Sequence, residues 1–387
     1  IIYSQGTVTI NDGSFTCNAL DAKDVDGLEL IFSYGSKATF TMLAGSITSN
    51  GKNTDASCGL YAIANFNDSK VILGKESDHT GPTLLTQCAS VGNNNGNASS
   101  SITIYGGSYE STYSPSYNES TKKLDWWHKF ASAIYASCDG SVNISGGTFN
   151  GYYDISMPYT NTTINLTITG GNFKSRSDTN IYLGNEQAQS GVAGGTKTYN
   201  ISGGYYTSDP SAYKGNNFVC PSDKDGYNYM ISADCVATIG TTNYATLESA
   251  IKAAKSGDII KLARDIVIKT DTSYDLGDKT IDTDGKKFDI QSGTLTMAGG
   301  TVQSNGEVTA KVGKEYVGNK IFNVAKNANL VINSGTYTTK TSHIIYSQGT
   351  VTINDGSFTS NAADASLLDG KAIIKSDGAN AKLTMLG

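Results

Sequence analysis

"VTINDGSF" at residues 8–15 alternates apolar with polar residues, turns at Asn-Asp-Gly, and resumes with an aromatic residue. The pattern is apolar, any, apolar, two turn residues, glycine, any, then an aromatic or β-branched residue. It recurs as "FTMLAGSI" (40–47), "ITIYGGSY" (102–109), "VNISGGTF" (142–149), "LTITGGNF" (166–173), "YNISGGYY" (199–206), "LTMAGGTV" (295–302), "LVINSGTY" (330–337) and "VTINDGSF" again (351–358). Alternation with period two reads as a half-buried strand, and the glycine-bearing turn ends it. Successive glycines return after 21 to 40 residues, except across gaps of 62 and 96 that predict turns whose motif has drifted. A period of about 20–50 residues marks a repeat architecture. One copy, with neighbouring strands such as "AIYAS" (133–137), "KIFNVA" (320–325) or "HIIYS" (343–347), is too small to bury its own inward side chains, so copies must stack.

Stacking places like positions above one another at roughly 4.8 Å. The last motif position then forms an internal ladder of Phe15, Ile47, Tyr109, Phe149, Phe173, Tyr206, Val302, Tyr337 and Phe358. Gly13, Gly45, Gly107, Gly147, Gly171, Gly204, Gly300, Gly335 and Gly356 make the matching corner, a role that fits glycine if φ is positive there. Coil length varies, which a parallel β-helix (β-solenoid) tolerates at its corners and a propeller or leucine-rich horseshoe does not. The expected fold class is therefore all-β.

Composition agrees. Only 38% of the 387 residues are hydrophobic, 43 glycines accompany five prolines, and 23 tyrosines outnumber 11 phenylalanines. Such a chain turns often, keeps its N–H groups for pairing, and has a thin core with many wet aromatic edges. Charged residues are 17% of the chain with a net charge of −6, so no basic stripe exists to displace counterions and no nucleic-acid partner is expected. No run of 18 apolar residues occurs, so no membrane span is expected in this segment. The opening residues read as a strand rather than a leader, so that either a signal segment lies further upstream or the chain is a window on something larger, and the repeated opening favours the window.

A second, longer period supports that expectation. Residues 1–16 return letter for letter at 344–359, and 1–44 match 344–387 at 29 of 44 positions, with Ser360 for Cys17, Lys375 for Phe32 and Asp377 for Tyr34. Tandem duplication of a module of about 343 residues accounts for this. "TNYATLESAIKAAKSGDIIKLARDIVI" (242–268) holds the one clear helical pattern: Thr246 as N-cap, Leu247, Ala250, Ile251 and Ala254 on one face, and Ser256-Gly257 as the stop. A helix there would cover the open end of a stack. Residues 1–206 are accordingly read as later coils of one module, 207–241 as module end and connector, and 242–387 as the capping helix and first coils of the next.

"YATLESAIKAAKSGDIIKLARDIVI", followed by "TLTMAGGTV" and the "ISGGTF", "ITGGNF" and "ISGGYY" coils, resembles the pectate-lyase-like right-handed parallel β-helix repeats of adhesin-like microbial cell-surface and filament proteins. "SGGYYTSDPSAY" (202–213) is similar to the closing phrase of such repeats. The resemblance implies a right-handed helix with a short N-terminal capping helix in each module, and secreted, wall-attached or filamentous proteins. It brings over no catalytic residue.

Lyases and hydrolases on β-helices need carboxylates clustered on an outward strand face. The outward residue between the apolar motif positions reads Thr9, Thr41, Thr103, Asn143, Thr167, Asn200, Thr296, Val331 and Thr352, none of them acidic. His79, His128 and His343 lie in separate segments. No catalytic residue and no cofactor is assigned, and calcium enters only through "DAKDVDG" (21–27), "DKDG" (223–226) and "DTDG" (282–285), which also read as plain Asp-Gly turns; the internal copy of the first, "DASLLDG" (364–370), has Leu367 in place of Asp24. Cys220 and Cys235 bracket a glycine-bearing turn and are the candidate disulfide among six cysteines. Sequons at Asn67, Asn97, Asn118, Asn143, Asn161, Asn165 and Asn200 are candidate glycosylation sites. The long insertion 108–137 carries Tyr113, Tyr117, Trp126 and Trp127, read either as a platform for sugar rings or a neighbouring subunit, or as a loop covering the sheet.

The expected function is a non-enzymatic extracellular, cell-surface structural protein, a repetitive β-solenoid forming a fibre, stalk or filament with an adhesive role, its partners being glycans and its own modules. The alternative is a carbohydrate-binding or carbohydrate-active β-helix. Ice binding by the threonine column is disfavoured because unequal coils work against a regular lattice face.

Overall fold

A computed structural model of the chain describes residues 2–18, 29–50, 61–93, 100–186, 195–222, 224–305, 311–312, 315–316, 320–340, 343–361, 372–379 and 381–386. The fold is mostly β with parallel sheets, in two compact units, 1–233 and 234–387, divided inside the stretch expected to be a connector.

In the first unit each pass of the chain lays one strand in each of three parallel sheets. The first sheet stacks Ile2–Ser4, Glu29–Tyr34, Tyr61–Phe66, Val91–Asn93, Ser132–Ala136, Tyr153–Tyr159 and Ile181–Glu186. The second stacks Thr7–Ile10, Thr39–Met42, Lys70–Leu73, Ser100–Ile104, Gly140–Ile144, Ile164–Ile168 and Lys197–Ile201. The third runs from Ser14–Cys17 to Tyr205–Tyr206 and ends in an antiparallel hairpin, Phe218–Pro221 with Tyr229–Ser232. Inward residues of all three sheets form one apolar cluster, from Ile31 and Phe40 to Ile201 and Tyr206.

The internal ladder lies in the third sheet. Phe15 pairs with Ile47, Ile47 with Leu84, Leu84 with Tyr109, and then come Phe149, Phe173 and Tyr206. Leu84 fills the gap of 62 residues: its turn uses "LGKESDHTGP" in place of the motif, a loop long enough to hide it from the pattern. Rings stack at 5.2, 4.9 and 4.9 Å along Tyr109, Phe149, Phe173 and Tyr206, with interplanar angles of 12° or less. All nine corner glycines have positive φ. At Gly45 (φ +94°) a Cβ would lie 2.1 Å from the carbonyl oxygen of Gly13, so one turn sits on the next with no room for a side chain.

The second unit repeats the plan with five parallel strands per sheet. Its ladder runs Ile260, Ile281, Val302, Tyr337 and Phe358, the last two rings stacked at 5.1 Å. The helix is Leu247–Ala253, its N-cap Thr246 accepting from Ser249 N–H at 3.1 Å, with Leu247, Ala250 and Ala254 buried and Ile251 half-buried. The helix does not itself close the sheet: Ala237–Ile239, hairpinned with Thr242–Tyr244, pairs antiparallel with the first parallel strand Ile259–Leu262, and the helix packs against the hairpin. A hairpin can do this because it saturates the N–H and C=O groups of an edge strand, which a helix cannot.

Candidate functional site

The outward face of the second sheet in the first unit is a regular surface. Its central column reads Thr9, Thr41, Ile72, Thr103, Asn143, Thr167 and Asn200, paired without a register shift. Beside it runs Thr7, Thr39, Lys70, Ser101, Ser141, Asn165 and Thr198. Unequal coil lengths are absorbed at the corners and leave this face in register, so the reason for disfavouring a lattice-like face does not hold here. In the second unit the column is Ser273, Thr296, Val331, Thr352 and Thr384.

Two hollows lie on the first unit's face. One of about 310 Å³ is lined by Thr103, Tyr105, Asn143, Ser145, Thr167 and Thr169. The other, about 590 Å³, brings Asp68 and Asp139 together with Lys70, Ser101, Ser141 and Asn165. Reading along the strands misses these carboxylates because both stand at corners, just before their strands begin. Asp139 also holds the neighbouring turn, accepting from Thr163 N–H at 2.6 Å.

The insertion folds back over the first sheet. A 3-10 helix, Trp126–Phe130, is N-capped by Asp125, whose carboxylate accepts from Trp127 N–H (2.9 Å), Ser116 N–H (2.6 Å) and the Tyr113 hydroxyl (3.1 Å). Burial, then the Asp125 charge, pushes the Tyr113 phenol up to about 12. Arg176 clamps the insertion from another turn, donating to the carbonyls of Ser111 (2.6 Å) and Tyr113 (2.8 Å). Trp127 packs on Phe130 at 5.5 Å, and Phe130 on Tyr135 at 4.7 Å, over a buried outer cluster of Tyr61, Ala64, Ala89 and Tyr135. His128 hydrogen-bonds the Tyr182 hydroxyl at 3.1 Å, edge-on to its ring. The four aromatics therefore divide: Tyr113 and Trp127 belong to the cover, while Tyr117 (51% exposed) and Trp126 (62%) face water. Lys129 is fully buried with its ammonium 3.3 Å from the Trp126 ring centroid. Sequence reading missed Asp125, Arg176 and Lys129; the pattern Asp-Trp-Trp ahead of a short helical turn was the available N-cap signal.

Of the sequons, Asn118, Asn165 and Asn200 are exposed, and Asn67, Asn143 and Asn161 are half-buried. Asn97 lies outside the described residues, as do the segments 21–27 and 364–370. Of the segment 223–226, Asp223 lies outside them, and Lys224, Asp225 and Gly226 form an exposed turn. Asp282 is taken up by its own chain, accepting from Asp284 N–H (2.9 Å) and the Asn305 amide (2.8 Å), as a turn aspartate does. Among the described residues no group of three or more His, Cys, Asp or Glu is arranged to hold a metal ion, and no helix is long and apolar enough to cross a membrane. His79 and His343 bond backbone carbonyls of Tyr105 and Ala372, far apart in the chain.

The expected bridge between Cys220 and Cys235 is not formed: both are thiols. Cys220 sits buried on a hairpin strand opposite Met230, and Cys235 lies past the end of that hairpin, its sulfur directed at Ala237 O (3.4 Å). Burial pushes the Cys235 thiol up. Among the described residues, Cys88, buried beside the third sheet, is disulfide-bonded.

Compared with known proteins, the chain matches no family model, no curated protein and no solved structure.

Proposed function

We propose that the chain is part of a right-handed parallel β-helix built from tandem modules, and that it serves as a non-enzymatic extracellular structural protein, a surface fibre or stalk with adhesive faces. One observation carries this: seven successive strands of the second sheet stay in parallel register over a face mainly of hydroxyl and amide side chains, interrupted by Lys70 and Ile72, with apolar side chains beneath. Right-handedness is supported by the strong rule for parallel crossovers. An exposed face of Thr, Ser and Asn with few charges suits wear and hydration rather than turnover, and cell-surface placement follows from the resemblance. The test is electron microscopy of the native source. Thin fibres with an axial repeat matching one module support the proposal; antibody to the chain labelling only dispersed secreted particles overturns it.

The hollow holding Asp68 and Asp139 favours a second reading, a carbohydrate-binding or carbohydrate-cleaving face, because it gathers from two corners the carboxylates that the strand faces lack. Depolymerisation assays on neutral and acidic polysaccharides test it. Cleavage lost in both Asp68→Asn and Asp139→Asn would establish this reading over the first; no cleavage of any polymer leaves the structural role standing.

A further inference from the structure

The smaller of the two hollows on the first unit's face is a trough with two polar walls. One wall is Thr103, Asn143 and Thr167, paired in register. The other is Tyr105, Ser145 and Thr169, set by Ser145 N–H donating to Ile104 O and Thr169 N–H to Ile144 O, both at 2.9 Å. Among the described residues none of these six side chains has a hydrogen-bond partner, and the Ser145 hydroxyl oxygen is buried without one. A buried hydroxyl left unpaired is costly, so the trough has hydrogen bonds to offer. Tyr105 is also the one ring at the fourth position of the nine motif copies, where the others carry Asn, Leu, Ser, Thr or Ala.

The corners behind the Tyr105 wall are covered by the loop 74–82. Its His79 lies in the left-handed region (φ +55°), a strained conformation, and its Nδ1 donates to Tyr105 O at 3.0 Å, since a carbonyl only accepts. A Cβ on Gly106 would lie 1.7 Å from the His79 carbonyl oxygen, and one on Gly146 3.2 Å from its ring. Glycine at both corners thus makes room for the loop that fixes the Tyr105 backbone. The second unit offers a comparison. At the same positions it has Ala298, Asn333 and Asn354, with Asn354 Nδ2 donating to Asn333 Oδ1 at 2.8 Å, so those amides are spent on each other and no ring stands among them.

We infer that this trough binds an uncharged polysaccharide, which lies along the stack with a sugar face on Tyr105 and its hydroxyls on Asn143, Ser145 and the threonines. A sugar chain has the matching complement: C–H faces for a tyrosine ring, and hydroxyls that donate and accept as the amide and hydroxyls of the walls do. No charge lines the trough, and the neighbouring hollow sets Asp68 and Asp139 against Lys70, which disfavours acidic polymers. Three rungs span about 10 Å, longer than one sugar ring. The volume of about 310 Å³ suits a short stretch of chain rather than a folded partner. Such a site gives the adhesive face proposed above its ligand class, and rests on that reading.

The test is native-gel affinity electrophoresis of the 387-residue chain through soluble mixed-linkage β-glucan, mannan or amylose, with polygalacturonate as the acidic control. At least one neutral polymer should retard the chain and polygalacturonate should not. Tyr105→Ala should weaken that binding about tenfold, the loss of one ring contact, and Tyr105→Phe should restore most of it, which a merely unfolded variant cannot do. Asn354→Ala, in the second unit, should bind as the unchanged chain does. Binding equal in Tyr105→Ala, or lost only in Asp68→Asn and Asp139→Asn, overturns the inference while leaving a carbohydrate-binding face in the other hollow. Native protein carrying a glycan on Asn143 also overturns it, because the sugar would fill the trough. Retardation by none of the neutral polymers overturns both this site and the reading of the face as adhesive toward glycans.

Discussion

At Gly45 two turns of chain touch with only hydrogen between them: its Cα faces the Gly13 carbonyl, to which Ser46 N–H also donates at 2.8 Å. Gly45→Ala therefore combines left-handed backbone strain with a backbone clash, and should cost about 2 kcal/mol or more. Gly6→Ala, where a Cβ meets nothing within 4 Å, serves as the control. Urea melts of both variants check this; equal midpoints would mean the corner is softer than its geometry. A second residue-scale case is Asp154, fully buried with Oδ2 accepting from the Asn180 amide at 2.7 Å. Burial raises its pKa well above the usual 3.8, opposed by the Asn180 hydrogen bond. The sign follows: the folded form binds the proton more tightly, so the contribution is complete below the unfolded value and is lost as pH rises through the folded one. Wild-type denaturation midpoints should fall as pH rises from 4, and Asp154→Asn should remove that part of the slope. The glycines were legible in the sequence because the corner repeats locally; Asp154 was not, because its partner is 26 residues away on the next turn.

Among the elements, the insertion shows how a long corner is held without belonging to the stack. Its polar ties include the Asp125 cap and the Arg176 guanidinium reaching the carbonyls of Ser111 and Tyr113, beside the aromatic packing of Trp127 and Phe130 on the sheet. Arg176→Ala should release the segment between Thr112 and Asp125. Limited proteolysis should cut there about tenfold faster, since a few lost charge-assisted bonds shift local opening by one to two kcal/mol, while the far-UV spectrum is unchanged. Cleavage at wild-type rate would show that the aromatic packing of Trp127 and Phe130 alone holds the cover. Strand positions, the helix with its Thr246 cap and the ladder were readable, since each is encoded within a few residues. The hairpins that close the sheets were not, because Ala237–Ile239 and Phe218–Pro221 lack the glycine-cornered motif and are recognised only by what they pair with. The Cys220–Cys235 expectation failed for a related reason: closeness in sequence around a turn is no guide to which strand a thiol ends on.

For each unit taken whole, stability in such an arrangement is close to a sum over turns and their immediate neighbours. Removing one complete interior turn should then shorten the first unit without unfolding it, provided the new neighbours match. Deleting residues 148–171 joins Gly147 to Asn172 and keeps every ladder apolar: Phe173 meets Tyr109, Ile168 is lost with its strand so that Ile201 meets Ile144, and Ile181 meets Ile134. The expected product has the same far-UV spectrum per residue and a cooperative melt lowered by no more than about 10 °C, one turn's share of the stabilising contacts. Deleting residues 148–160 instead, half a turn, puts the second-sheet strand where the third belongs and should abolish the cooperative transition. If the two deletions behave alike, the turn is not the unit of this fold, and the equivalence of successive coils on which the outward face depends would have to be given up.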